Sequence, residues 1–221
     1  MAVYLITGSN RGIGYEYCRQ LQERGETVVA VCRTPSEPLQ ALGVRIEAGG
    51  DITSDQAVQH LVQRLDGLKI DGLINNAGIL ESTNLADLDI ESVRRQFEVN
   101  ALGPLRLTRA LLANLHPGAK LILMTSRMGS IDDNSSGGSY GYRMSKVALC
   151  MAGKSLAIDL QPRGIAVALL HPGLVSTRMT DFNPHGISAA TAVQGLLERI
   201  EALTLASSGS FWHANGQLLP W

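Results

Sequence analysis

Short, uninterrupted apolar runs alternate along the chain with longer stretches whose apolar residues recur every three or four positions. The runs at 3–7, 27–32, 44–47, 72–75, 120–125, 165–170 and 209–219 predict strands, and the periodic stretches at 12–24, 55–65, 90–115, 140–160 and 188–203 predict helices. The strands are apolar throughout, without the alternation of a half-exposed sheet, so both of their faces should be covered. Strands separated by helices then imply an α/β architecture: a single-domain, doubly wound Rossmann fold over residues 1–221, with a parallel sheet of about seven strands and helices on both faces. Near the end, Asn215-Gly216 lies between strand-like flanks and predicts a type I′ turn that closes the sheet edge. Trp212 and Trp221 beside it are read as packing residues that pin the terminus.

Composition narrows the class. The 221 residues are 45% hydrophobic and 18% charged, which suits one folded core. A net charge of −1 supplies no attraction toward nucleic acid or an anionic membrane, so a small molecule is the expected partner. The first residues lack a basic segment and no apolar run approaches the ~20 residues of a membrane helix. Three scattered cysteines, Cys18, Cys32 and Cys150, fit a reducing compartment, and a cytoplasmic protein is expected. No Cys-x-x-Cys or His-Glu-x-x-His pattern supports a metal site. His171, with no carboxylate or nucleophile beside it in sequence, is read as structural.

Chemistry enters at three places. Tyr142 and Lys146 stand four apart on a predicted helix and share a face, so the ammonium can reach the phenol and lower its pKa into a range useful for acid–base work. After the first strand, Gly8-Ser9-Asn10-Arg11-Gly12-Ile13-Gly14 offers a tight turn and a helix N-terminus suited to a pyrophosphate, although the glycine spacing differs from Gly-x-Gly-x-x-Gly. The second strand ends in Arg33 where an NAD-binding chain would carry an acidic residue. With Arg11 it supplies two guanidinium groups for a 2′-phosphate, which predicts NADPH in preference to NADH.

The glycine loop, Asn75-Asn76-Ala77-Gly78, Asn100, Ser126, Tyr142 with Lys146, and Pro172-Gly173 together resemble the motif series of the short-chain dehydrogenase/reductase family, in the family's order and over nearly the whole chain. The stretches 129–146 and 171–177 and the ending Leu219-Pro220-Trp221 are similar to a subgroup containing the C-factor and Sniffer-type carbonyl reductases. The resemblance implies that Tyr142 is the proton donor and acceptor, that Ser126 holds the substrate oxygen, and that Lys146 depresses the phenol and binds the nicotinamide ribose. It implies further that Asn100 holds a water linking Lys146 to solvent. It places Asp51 and Ile52 at the adenine, and assigns Asn76, Ala77, Gly78, Pro172, Gly173, Val175 and Thr177 to the cofactor site. The double glycine before Asp51 suggests a bulge.

The expected activity is hydride transfer between NADP(H) and a carbonyl or alcohol. Met128, Ile79, Leu174, Met179 and Phe182 would give an open, apolar site for a hydrophobic or aromatic aldehyde, ketone or quinone. Tyr140, six residues before Lys146, is read as a possible wall of that site. The polar loop at 132–138 absorbs a long interval between Ser126 and Tyr142. Surplus apolar positions on the 140–160 helix predict a homodimer. Two other readings compete. One is a weakly catalytic NADP-binding signalling or scaffold protein on the same fold, against which all four catalytic positions are filled. The other is a serine hydrolase, since Gly137-Gly138-Ser139-Tyr140-Gly141 fits Gly-x-Ser-x-Gly, but no strand directly precedes that segment.

Overall fold

The computed structural model describes residues 1–221. Seven strands, β1 (Val3–Thr7), β2 (Thr27–Cys32), β3 (Arg45–Ala48), β4 (Ile70–Asn75), β5 (Leu115–Met124), β6 (Ala166–His171) and β7 (Ser210–His213), form one sheet in the order β3-β2-β1-β4-β5-β6-β7. Every pairing is parallel. The helices are α1 (Gly12–Glu23), α2 (Glu37–Ala41), α3 (Asp55–Arg64), α4 (Ile90–Phe97), α5 (Gly103–Ala110), α6 (Tyr140–Leu160) and α7 (Ala189–Ala202).

The sheet buries both faces, which is why its strands read as continuous apolar runs. Leu5, Val29, Val31, Leu73, Leu121, Leu123 and Val167 meet residues of α3, α5 and α6, including Leu61, Leu107 and Leu149. Their neighbours Ile6, Ala30, Ile74, Ile122, Ala168 and Leu170 point the other way, toward Tyr17 and Leu21 of α1 and Leu196 and Ile200 of α7. The chain runs outward from β1 through β2 to β3, then returns to place β4 on the other side of β1. That reversal opens a crevice at the carboxyl ends of β1 and β4, where doubly wound folds bind ligands.

Several expected boundaries move. The long helix expected at 90–115 is divided into α4, a π-helical turn at Glu98–Leu102, and α5. It stops early because Asn114 Nδ2 donates to the carbonyls of Leu65 (2.9 Å) and Leu68 (2.8 Å), and Leu115 already pairs with Ile70. Helix α2 went unread, since five residues are too short to show a period; Ser36 Oγ caps it by accepting from Leu39 N. Gly49-Gly50 makes a turn out of β3, with Gly49 at φ +73, and no bulge within the strand. The C-terminal run carries only the short β7, parallel to β6, and one antiparallel bridge between Trp212 and Leu218. The turn between them is not type I′, which needs two residues at positive φ, because Gly216 alone has one. Trp221 packs on buried Phe211 with ring centroids 5.8 Å apart, and its carbonyl accepts from Asp132 N at 2.9 Å. No helix is long and apolar enough to cross a membrane.

Candidate active site

The glycine loop leaves β1 at Thr7 and enters α1. Gly8 sits at φ +66, and a Cβ at Gly14 would fall 2.2 Å from the Gly8 carbonyl oxygen, so the turn closes only with glycine at both places. Thr7 Oγ1 accepts from the backbone N–H groups of Asn76 and Ala77, each at 3.0 Å, while Asn76 Nδ2 donates to Thr7 O at 3.0 Å. These bonds lock the Asn-Asn-Ala-Gly segment after β4 against the loop. Sequence reasoning passed over Thr7, although a hydroxyl at a strand end beside a glycine turn is a usable signal. A Cβ on Gly12 would lie 3.6 Å from Thr177 Cγ2, which puts the segment after β6 on the loop's other flank. The loop, Asn76-Ala77-Gly78 and Thr177 thus converge as expected. Pro172 and Gly173 follow β6 directly, and Val175 beyond them is buried.

At the end of β2, Arg33 is exposed, as is Arg11, and neither belongs to an ion pair. Asp51 lies near Arg33. Burial raises its carboxyl pKa, but hydrogen bonds from Thr53 Oγ1 (2.7 Å) and Thr53 N (2.9 Å), with the Arg33 and Arg106 charges, outweigh that and hold it below the ordinary range. Ile52 is 5% exposed and packs against the Gly103 turn. The residues fit a dinucleotide: a glycine cradle that any Cβ would fill, then two unpaired guanidinium groups beside the second strand.

The second cluster stands across β4 and β5. Ser126, at the end of β5, and Tyr142 and Lys146, on α6, are all nearly enclosed. The 3₁₀ turn Arg127–Gly129 rests directly on α6: a Cβ at Gly129 would come within 2.8 Å of the Lys146 carbonyl carbon. Lys146 Nζ donates to Met124 O at 2.9 Å and lies 5.6 Å from the Tyr142 ring centroid. Burial lowers the Lys146 ammonium from 10.5 to about 8. The Tyr142 phenol departs from expectation. Burial pushes it above its ordinary value, and the neighbouring Ser126 hydroxyl only partly offsets the rise. Desolvation therefore prevails at this phenol.

Asn100 occupies the π-helical turn and is fully buried. Its Oδ1 accepts from Ile79 N (2.8 Å), and its Nδ2 donates to Ile79 O (2.9 Å) and Ser145 Oγ (2.9 Å). Both amide hydrogens are committed, so a water would find only a remaining oxygen lone pair on this side chain. Ser145 in turn donates to Tyr142 O at 2.8 Å. This partner was missed, although it sits between the two helix residues singled out. A Cβ at Gly78 would meet Asn100 Oδ1 at 3.1 Å and Lys146 Nζ at 3.6 Å, so the two clusters adjoin.

The remaining expectations sort around this centre. Leu174, Met179 and Phe182 are exposed at 47%, 45% and 66%, consistent with an open apolar rim. Ser139 of the Gly-x-Ser-x-Gly segment caps α6 at φ 47 and shares a hydrogen bond with Ser82 Oγ (2.9 Å), a hydroxyl and no histidine. Its strand ends fifteen residues earlier, at Met124, so the segment is no nucleophile elbow. His171 packs edge-on to His213, ring centroids 5.0 Å apart, and burial with the His213 and Arg127 charges lowers it to about 3. It is a neutral ring at a strand end. The loop after Ser126 is anchored by an Arg127–Asp133 ion pair and by Arg143 Nη2 donating to Ser136 Oγ.

Comparison with known proteins agrees with this arrangement. The family model described as short chain dehydrogenase matches residues 2–187. The chain is 42% identical over 226 positions to the 1-hydroxy-2-glutathionyl-2-methyl-3-butene dehydrogenase of Rhodococcus sp. strain AD45, covering all of both proteins. It is 44% identical to the C-signal protein of Myxococcus xanthus, over 69% of this chain and 93% of that one. The solved structure of an NADPH-bound carbonyl reductase from chicken fatty liver superposes with a TM-score of 0.90 at 28% identity, covering all of both chains. A glycine cradle at the switch point, a Ser-Tyr-Lys cluster beside it and these matches lead to one conclusion: the chain belongs to the short-chain dehydrogenase family of oxidoreductases.

Proposed function

We propose that the chain is a cytoplasmic, homodimeric, NADP(H)-dependent oxidoreductase that interconverts a hydrophobic or aromatic aldehyde, ketone or quinone with its alcohol. The observation that carries this reading is the enclosure of Ser126, Tyr142 and Lys146 beside the glycine cradle, with the Asn76-Ala77-Gly78 segment between them: Asn76 and Ala77 are bonded to Thr7, and Gly78 lies beside Lys146. When bound, the nicotinamide supplies the hydride in one direction and accepts it in the other. Tyr142 gives its phenolic proton to the substrate oxygen, or takes it back in the reverse direction. Ser126 donates to the same oxygen as negative charge grows there. Lys146, at about 8, can lose and regain a proton near neutrality, which suits a group that returns a proton to Tyr142. Asn100, through Ser145, fixes the α6 backbone at Tyr142, and it holds the Ile79 backbone beside it.

The free guanidinium groups of Arg11 and Arg33 support NADP over NAD. A fluorescence titration tests it: Arg33→Ala should weaken NADPH binding about tenfold, the scale of one charge-assisted pair, and leave NADH within about twofold. Equal losses for both cofactors would overturn the preference. The dimer is supported by Met144, Met151 and Ile158, which stand seven residues apart on α6 with exposures of 49%, 69% and 62%. Leu102 and Leu105 add to this apolar surface at 39% and 40% exposure. Three buried free cysteines agree with a reducing cytoplasm.

A second reading of the substrate comes from the Rhodococcus relative, named for an alcohol bearing a glutathionyl group and matching this chain from end to end. On that reading the chain oxidises an alcohol with a large hydrophilic substituent, by the same residues.

A further inference from the structure

Beside the N-terminus of α6 lies a cleft of about 310 Å³ whose six lining residues, Ser82, Thr83, Asn84, Asp87, Gly138 and Ser139, include no apolar side chain. We infer that this cleft binds a hydrophilic, ammonium-bearing arm of the substrate, with the Asp87 carboxylate as its charge partner. The inference rests on the proposed oxidoreductase reading and adds a second point of substrate recognition to it.

The cleft is built from two segments that also frame the catalytic cluster. One follows β4 past Ile79, the residue held by Asn100, and the other is the loop that leads into α6. Ser139 N donates to Thr83 O (2.8 Å), and the Ser82 and Ser139 hydroxyls share a hydrogen bond (2.9 Å), so the walls are tied to each other. Ser139 precedes Tyr142 by three residues, about 4.5 Å along a helix axis, so the cleft lies at the same end of α6 as Tyr142. Ser139 is held in the left-handed region at φ 47, a conformation that disfavours a serine and persists where the surroundings fix it.

The chemistry of the lining selects the ligand. The Ser82, Thr83 and Ser139 hydroxyls and the Asn84 amide supply neutral hydrogen-bonding groups along the lining. Asp87 accepts from Asn84 Nδ2 at 2.8 Å and forms no ion pair, and no Lys, Arg or His lines the cleft. A carboxylate among hydroxyls, without a cation, attracts a donor-rich cation and disfavours an anion. A volume near the lower end of the ~300–1,000 Å³ typical of ligand pockets suits an arm, while the reacting carbonyl sits at Tyr142.

The test is a matched pair of ketones, 4-(2-aminoethyl)acetophenone and 4-(2-hydroxyethyl)acetophenone, with benzaldehyde as reference and NADPH oxidation as readout. The expected result is a kcat/KM about tenfold higher for the ammonium ketone, the scale of one charge-assisted contact. Asp87→Asn, which keeps the amide-to-side-chain bond within the loop, should bring that ratio to about one and leave benzaldehyde within about twofold. A ratio of one in the unaltered chain, a ratio untouched by Asp87→Asn, or turnover of benzaldehyde with neither ketone would overturn the cleft and leave the oxidoreductase reading standing. No turnover of any carbonyl while NADPH binds would overturn both.

Discussion

Lys146 makes the most quantitative prediction. Its ammonium is buried and held at about 8, against 10.5 in the free side chain. The folded chain therefore resists the proton that the unfolded chain keeps, and at pH 7 this opposes folding by about 3 kcal/mol at 1.36 kcal/mol per pH unit. The cost disappears as pH rises: between the folded value and 10.5 the unfolded state binds more protons, so stability contributed by this group increases with pH. Lys146→Met removes the titration and also the donor to Met124 O, a pH-independent loss of about 1–3 kcal/mol. The readable quantity is thus the change with pH in the difference between the two proteins, in which the groups that do not interact with Lys146, unlike Cys150, cancel. Urea unfolding at pH 7 and at pH 10 should show the unaltered chain gaining about 2.5 kcal/mol on the Met variant. A difference that stays flat with pH would show Lys146 to be solvated and would refute the burial argument.

Gly14→Ala forces a Cβ to within 2.2 Å of the Gly8 carbonyl, so the loop must open. The expected outcome is a loss of about 1–3 kcal/mol by urea unfolding, together with at least about tenfold weaker NADPH binding by fluorescence; normal binding would place the cofactor elsewhere. Met151→Lys puts a charge in the middle of the exposed α6 stripe, where Met151 is 69% exposed. Light scattering should find the unaltered chain near twice its 23.7 kDa and the variant near that mass, with NADPH binding retained. A monomer before substitution would remove the dimer from the account.

The fold was legible because the central strands β1, β2, β4 and β6 are buried on both sides, so their apolar runs stand out between amphipathic stretches. What escaped were features set by tertiary partners. Pro117-Gly118 marks a local end near 115, but α5 already stops at Ala110, where Asn114 beyond it reaches the carbonyls of Leu65 and Leu68. After Asn215-Gly216 the chain does fold back on β7, with His213 N donating to Gln217 O and Leu219 N to Phe211 O around the Trp212–Leu218 bridge, but without the two positive-φ residues of a type I′ turn. In the site, glycine spacing and the Tyr142–Lys146 pair were visible because helix geometry fixes them. The raised phenol of Tyr142 was not, since desolvation depends on how completely the fold encloses the side chain. Ser145, Thr7 and the cleft at Asp87 depend on which segments meet in space, which no local pattern encodes.

The central claim is that Tyr142 passes a proton to a carbonyl beside bound NADPH. It is tested most directly by measuring NADPH binding and aromatic aldehyde reduction in the unaltered chain and in Tyr142→Phe. The account predicts NADPH bound within about twofold in both, with turnover reduced at least about a thousandfold in the phenylalanine variant, within the range of one lost acid–base group. Aldehyde reduction undiminished in Tyr142→Phe, or absent from the unaltered chain that binds NADPH, would contradict it.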